Sequence, residues 1–401
     1  MDLKERIFYF LSFIISLIIG LFFPLSVDSQ CNGNLVIINF GDSNSDTGGY
    51  VIIRGMIGQL PKKHTINHDL AGRMCDGKLV IDFLYTIYTG FVVTVVRGKA
   101  TLWLGSQLTI FCRKIILRES VKNGYLTPFM ESMGKNFTNG VNFAIAGSKT
   151  LPASDSFNLK IQIAQFHRFR SLSLELFDKG NGNLLGDEDL RNALYTIDIG
   201  QNDLDGVFGG LSYEKAILKI PDFIYEIENA IKAIYEEGGK NFWVHNTGPI
   251  GCLPKSLTTY NKYKDDYDEH GCLRSLNEGA KIFNDKLYLL SEKLRDELKN
   301  TTIVYVDVYS IKYDLIANSS NYGFVNPLMA CCGYGGPPYN FESNNKCGQG
   351  NYTICEDRSK YISWDGAHYT EAANAVVASK ILSSNYSTPP LKFNSFCNIA
   401  P

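Results

Sequence analysis

The sequence predicts a mainly parallel α/β sheet of five strands, doubly wound by helices. Three observations lead there. Five short runs rich in β-branched residues recur along the chain, and longer stretches with helical spacing separate them. The strand runs are apolar throughout rather than alternating, as expected of strands covered on both faces. Strand–helix alternation over most of a chain implies parallel pairing through crossover helices.

The five runs, in order, are NLVIINF (Asn34–Phe40), VNFAIA (Val141–Ala146), ALYTIDI (Ala193–Ile199), NFWVHN (Asn241–Asn246) and TIVYVDV (Thr302–Val308). Between them lie IPDFIYEIENAIKAIYEEGG and LNEGAKIFNDKLYLLSEKLRDELKN, both with apolar residues at helical spacing. In the second, Leu287, Leu290 and Leu294 share one face opposite the charges. No repeat, low-complexity tract or linker divides the chain. Residues 30–401 therefore read as one domain.

Residues 1–29 read as a secretory leader. Lys4 and Arg6 precede an apolar run from Ile7 to Phe23, then Pro24 breaks it and small residues lead to a cleavage site near Ser29. The competing reading, an uncleaved anchor, is disfavoured by that break, and no stable membrane insertion is expected after cleavage. Export fits two further features. The chain has ten cysteines, none in C-x-x-C spacing, which points to disulfides in an oxidising compartment rather than to zinc or redox sites. Glycosylation sequons occur at Asn136, Asn300, Asn318, Asn351 and Asn385. The formal net charge of -2 leaves no basic stripe for nucleic acid. One stretch fits poorly: Thr86 to Lys122 carries six Lys/Arg against one acid and shows no clean period.

The richest chemistry lies in INFGDSNSDTGG (Ile38–Gly49). Asp42, Asn44 and Asp46 match the first positions of a calcium loop, but Thr47 stands where glycine is needed and Ile53 where the bidentate Glu belongs. A metal loop is therefore rejected. A catalytic serine there would need a base, a group to orient it and oxyanion donors. Of six histidines, His64 and His68 sit in a loop without helical alignment. His245 falls in a strand, where a satisfied core histidine is expected, and His167 and His270 have ordinary polar surroundings. His368, in SWDGAHYTEAANAVVASKIL, follows Asp365 by three residues just before a helix. Asp365 can orient His368 or merely cap that helix, and spacing alone leaves both open. Gly147 and Asn202 each follow a strand, where donors can approach a ligand beyond the sheet's carboxyl edge. No G-x-S-x-G pentapeptide occurs, which removes the nucleophile-elbow hydrolases as a template.

FGDSNSDTGG, GVNFAIAG, GQND and DGAH occur in the order and approximate spacing of the plant GDSL-type esterase/lipases of the SGNH hydrolase superfamily, which this chain resembles over nearly all of its mature length. GRMCDGKLVIDFL, HNTGPIGCLP and CCGYGGPPYNF are also similar. The resemblance implies a flavodoxin-like three-layer α/β/α sandwich without metal or organic cofactor. It implies Ser43 as nucleophile, His368 as base, Asp365 as its orienting partner, and Ser43 N–H, Gly147 N–H and the Asn202 amide as the oxyanion hole. The expected substrate is a small acyl or acetyl ester of a glycoside, polysaccharide or lipid, met outside the cell in the apoplast or wall.

Two departures stand out. The first block reads GDSN, as in the subgroup resembling early nodulin-like and latex allergen esterases and proteins named α-fucosidases. A glycosidase would need paired carboxylates, which the matched blocks do not supply. The second is the 86–122 stretch, where relatives run on almost directly. Its composition reads as translated intron or a gene-prediction error; a tryptic peptide covering Ala100 to Arg113 from the native protein would contradict that. Two other functions fit the same residues: acyl transfer to a hydroxyl acceptor, and a non-catalytic secreted glycoprotein with a binding role. Cys252–Cys272 and links among Cys331, Cys332, Cys347 and Cys355 are plausible, with connectivity left open by spacing.

Overall fold

The computed structural model describes residues 35–56, 70, 72–89, 125–131, 135–152, 157–260 and 265–396. The leader, His64, His68 and residues 90–122 lie outside this set, so the expectations placed on them are not addressed by the fold.

Each predicted apolar run supplies a buried strand: β1 (Ile37–Gly41), β2 (Gly140–Asn142), β3 (Leu194–Asp198), β4 (Asn241–His245) and β5 (Thr302–Val306). These five pair in parallel in the order β5-β4-β3-β1-β2. The predicted second run is longer than β2. Beyond Asn142 its backbone still runs beside β1, with Phe143 N–H on Asn39 O and Ile145 N–H on Gly41 O, before turning into the site.

The helices are α1 (Gly49–Met56), α2 (Val80–Thr89), α3 (Leu159–Asp178), α4 (Asp187–Asn192), α5 (Gln201–Gly210), α6 (Tyr213–Ile217), α7 (Ile220–Glu236), α8 (Pro254–Thr259), α9 (Arg274–Glu297), α10 (Val308–Ala317) and α11 (Glu371–Leu382). Local signals fix their starts: the Asn158 side chain accepts the Ile161 N–H, Asp307 that of Ser310, and Thr370 that of Ala373. Pro221 sits in the first turn of α7, where its missing N–H is harmless. Helix α7 packs on both α3 and α9, while α11 packs on α2 and α10. Two helical groups thus cover a sheet whose strands are buried, and this is the three-layer arrangement expected. The Leu287, Leu290 and Leu294 stripe of α9 is buried as predicted.

One element escaped the sequence. After α11 the chain returns as β10 (Ser387–Thr388), which pairs antiparallel with β5 and makes the sheet six-stranded. Two residues are too few to show a period. The smaller pairs β6 (Asn326–Ala330) with β9 (Tyr361–Ser363), and β7 (Cys332–Gly333) with β8 (Thr353–Ile354), support the loop before α11. Disulfides join Cys252–Cys272, Cys331–Cys355 and Cys332–Cys347, resolving the open connectivity. Among the described cysteines, Cys75 is free and buried.

Chain order reverses at β1, which has β2 on one side and β3 on the other. Crevices beyond the carboxyl ends of strands at such a reversal are where doubly wound sheets bind ligands. Ser43 follows β1 there and Asn202 follows β3.

Candidate active site

The turn after β1 is held by its own acids. Asp46, fully buried, accepts the N–H groups of Gly48 (2.8 Å), Gly49 (2.6 Å) and Tyr50 (3.0 Å), so it caps α1. Its Oδ2 also accepts the Ala146 N–H at 2.7 Å, which ties the second motif to the first. Asp42 Oδ1 accepts the Asn44 N–H (2.9 Å) and the Asn44 amide (3.0 Å). The two aspartates that suggested a calcium loop are thus committed to backbone and amide hydrogens. Gln162 of α3 clamps both backbone groups of Gly41, donating to its carbonyl at 2.8 Å and accepting its N–H at 2.9 Å.

From the other end of the chain, the loop between β9 and α11 carries His368. Its Nε2 lies 2.8 Å from Ser43 Oγ and its Nδ1 lies 2.7 Å from Asp365 Oδ2. Asp365 Oδ1 also accepts the N–H of Ala367 (3.0 Å) and of His368 (2.9 Å). Of the two readings left open for Asp365, the contact with His368 is the one observed, because Thr370 caps α11. The disulfide-rich segment braces this loop: Cys331 N–H donates to Ser363 O at 3.0 Å and Cys332 N–H to Trp364 O at 2.6 Å. Burial works to raise the Asp365 pKa, but the charge and hydrogen bond of His368 outweigh it and hold the carboxyl at about 2. Burial works to lower the His368 pKa; the Asp365 charge and bond, with Asp42 behind them, raise it above the ordinary value.

Gly147 adopts φ +83°, and a Cβ there would meet no heavy atom within 4 Å. Its glycine is therefore required by backbone conformation rather than by space. Among the described residues, no protein acceptor takes the N–H of Ser43 or of Gly147. The Asn202 amide is different: it donates to Asp42 Oδ2 at 3.2 Å and to Ser148 O at 3.1 Å. Asn202 is the second residue of α5, two positions after Gly200, whose φ of +123° makes the sharp exit from β3. The neighbouring Asp203 accepts the Thr150 N–H at 2.8 Å and so fixes the Gly147 loop to α5; burial pushes its carboxyl up to about 6.

All five predicted residues line one cavity of about 660 Å³. Arg54, Phe341, Lys346 and a Lys255–Asp205 pair at 2.6 Å also line it. Further acids lie next to the Ser43 turn. Burial, with the Asp198 charge adding to it, pushes the Asp42 carboxyl up to about 7. Burial would also raise Asp198, but the hydrogen bond and charge of His245, with the charge of Lys312, bring it below its ordinary value.

The remaining described histidines make other contacts. His167 pairs with Glu237 at 2.8 Å, and His270 lies 3.9 Å from Glu269. His245 is buried at the end of β4 as expected, 3.6 Å from Asp198, but its Nε2 has no hydrogen-bond partner, so it is not the fully satisfied core histidine that was expected. Asp42 and Asp46 shape the turn that presents Ser43, as the sequence suggests; sequence reasoning missed Gln162 and Asp203, since their roles are contacts between distant segments.

A family profile described as GDSL-like Lipase/Acylhydrolase matches residues 37–381. That span runs from β1 through α11 and includes every residue of the cavity's Ser43–His368–Asp365 cluster. The chain belongs to the GDSL lipase/acylhydrolase family. Curated relatives agree. A GDSL esterase/lipase of Arabidopsis thaliana is 48% identical, covering 93% of this chain and 93% of its own length. GDSL esterase/lipase LIP-4 of the same plant is 45% identical over 97% of this chain and 96% of its length. A Hevea brasiliensis protein named esterase is 37% identical over 90% and 88%. The protein is accordingly a plant-type GDSL enzyme and a carboxylic ester hydrolase, acting on ester substrates. Within the GDSL block, Asn44 stands at the leucine position, and its side chain is turned back onto Asp42.

Proposed function

We propose that the protein is a secreted serine esterase that cleaves small acyl or acetyl esters through an acyl-enzyme intermediate. The observation that carries this reading is the unbroken chain Ser43 Oγ–His368 Nε2 (2.8 Å) and His368 Nδ1–Asp365 Oδ2 (2.7 Å). With Nδ1 protonated toward Asp365, Nε2 is the acceptor for the Ser43 hydroxyl proton. Ser43 Oγ attacks the ester carbonyl as His368 takes that proton, and the imidazolium is stabilised by Asp365. The carbonyl oxygen becomes an oxyanion beside the N–H groups of Ser43 and Gly147 and the Asn202 amide. His368 returns the proton to the leaving alcohol. It then activates a water that releases the acid and restores Ser43.

The cavity volume of about 660 Å³ is of the size that encloses one small-molecule ligand. Glycosides, wall polysaccharides or lipids bearing short acyl groups are the substrates we favour. Secretion is supported by three disulfides among the described cysteines and by surface exposure of all five sequon asparagines: Asn136, Asn300, Asn318, Asn351 and Asn385.

Hydrolysis of p-nitrophenyl acetate and butyrate by the wild type and by Ser43→Ala tests the reading. Loss of activity in the variant is expected. Equal rates would remove Ser43 from its role and favour a non-catalytic protein.

A further inference from the structure

The Asn202 amide has two hydrogens, and both are taken in the resting site, one by Asp42 Oδ2 and one by Ser148 O. An oxyanion cannot be added as a third acceptor without one of them giving way. The two acceptors differ in what they would be left with. Ser148 is fully buried, and Asn202 is the sole partner of its carbonyl among the described residues. Asp42 keeps two bonds to Asn44, from the backbone N–H and from the side-chain amide. Releasing Ser148 would leave a buried carbonyl with no partner; releasing Asp42 frees its Oδ2 alone, while Oδ1 keeps both bonds from Asn44 and the side chain stays anchored.

Resting on the proposed serine mechanism, we infer that Asp42, braced by Asn44, is a positioning residue for Asn202: it holds the amide at the oxyanion site until the substrate oxygen replaces it. The side-chain half of the brace depends on the departure from the family's block: leucine at position 44 would keep the backbone N–H bond but has no amide to offer Asp42. Position 44 thereby affects turnover without touching substrate.

The test is a double-mutant cycle on full-length enzyme with p-nitrophenyl butyrate, reading kcat and KM separately. Asn202→Ala should lower kcat by about 10²–10³-fold, as for loss of one oxyanion donor. Asp42→Asn should lower kcat by roughly 10–10²-fold, the scale of a small misplacement, with KM nearly unchanged. Asn44→Leu, which leaves the carboxylate in place and serves if Asp42→Asn does not fold, should lower kcat in the same manner. In the Asn202→Ala background, neither second substitution should cost anything further. The same fold loss in both backgrounds, a change in KM alone, or no loss of kcat overturns the inference. If Asn202→Ala itself leaves kcat unchanged, Asn202 has no oxyanion role and the inference falls with it. Activity of Ser43→Ala in the same assay would instead overturn the underlying mechanism.

Discussion

His368 Nε2 lies 2.8 Å from Ser43 Oγ although 325 positions separate the two residues in sequence. The sheet makes this possible: Ser43 leaves β1 at the reversal of strand order, and the loop before α11 is carried over the same edge. Two disulfides and the β6–β9 pairing hold that loop, so the contact belongs to the folded framework.

The pH dependence follows from that contact. A base must be neutral, and Asp365 raises the His368 pKa. kcat/KM should therefore fall on the acid side with a midpoint above the ordinary histidine value of about 6.5. Asp365→Asn should move that midpoint downward, since the charge that raises it is gone, and should lower the plateau by about 10⁴-fold. A pH–rate profile of both proteins checks this; a flat wild-type profile from pH 5 to 8 would contradict the assignment.

Gly147 and Gly200 should respond differently to alanine. At Gly147 only the positive φ opposes a side chain, so Gly147→Ala should destabilise by about 1–2 kcal/mol while lowering kcat through a reoriented N–H. At Gly200 a Cβ would also sit 2.5 Å from the Phe283 ring. Gly200→Ala should therefore unfold at markedly lower urea concentration. Denaturation midpoints for the two variants decide it, and equal midpoints would refute the distinction.

Asp46 carries no proposed chemical step, yet it accepts four backbone N–H groups in a buried turn. Asp46→Ala should leave those donors unpaired at about 1–3 kcal/mol each, for a loss of at least about 4 kcal/mol and of activity. Urea unfolding measures it; a loss under about 1 kcal/mol would show that water replaces the carboxylate.

Much of this was legible in the sequence because it depends on local pattern. All five strand runs form strands, the Leu287–Leu294 stripe is buried, and Ser43, Gly147, Asn202, Asp365 and His368 line one cavity. What was not legible depends on contacts across the fold. The run Val141–Ala146 looks uniformly apolar except for Asn142, whose amide reaches Ser45 O and Thr47 Oγ1 and anchors the first motif. Periodicity has no way to register that bond. Similarly, the commitment of both Asn202 hydrogens needs Asp42 and Ser148 to meet it from two other loops, and no spacing rule places three loops together.

Treating the enzyme with a fluorophosphonate ester and locating the adduct by peptide mass spectrometry tests whether Ser43 is the nucleophile. One phosphonyl group per chain on Ser43, formed in step with loss of esterase activity and absent in His368→Ala, is the predicted result. Stoichiometric labelling at another residue, or full activity after complete labelling of Ser43, would contradict it.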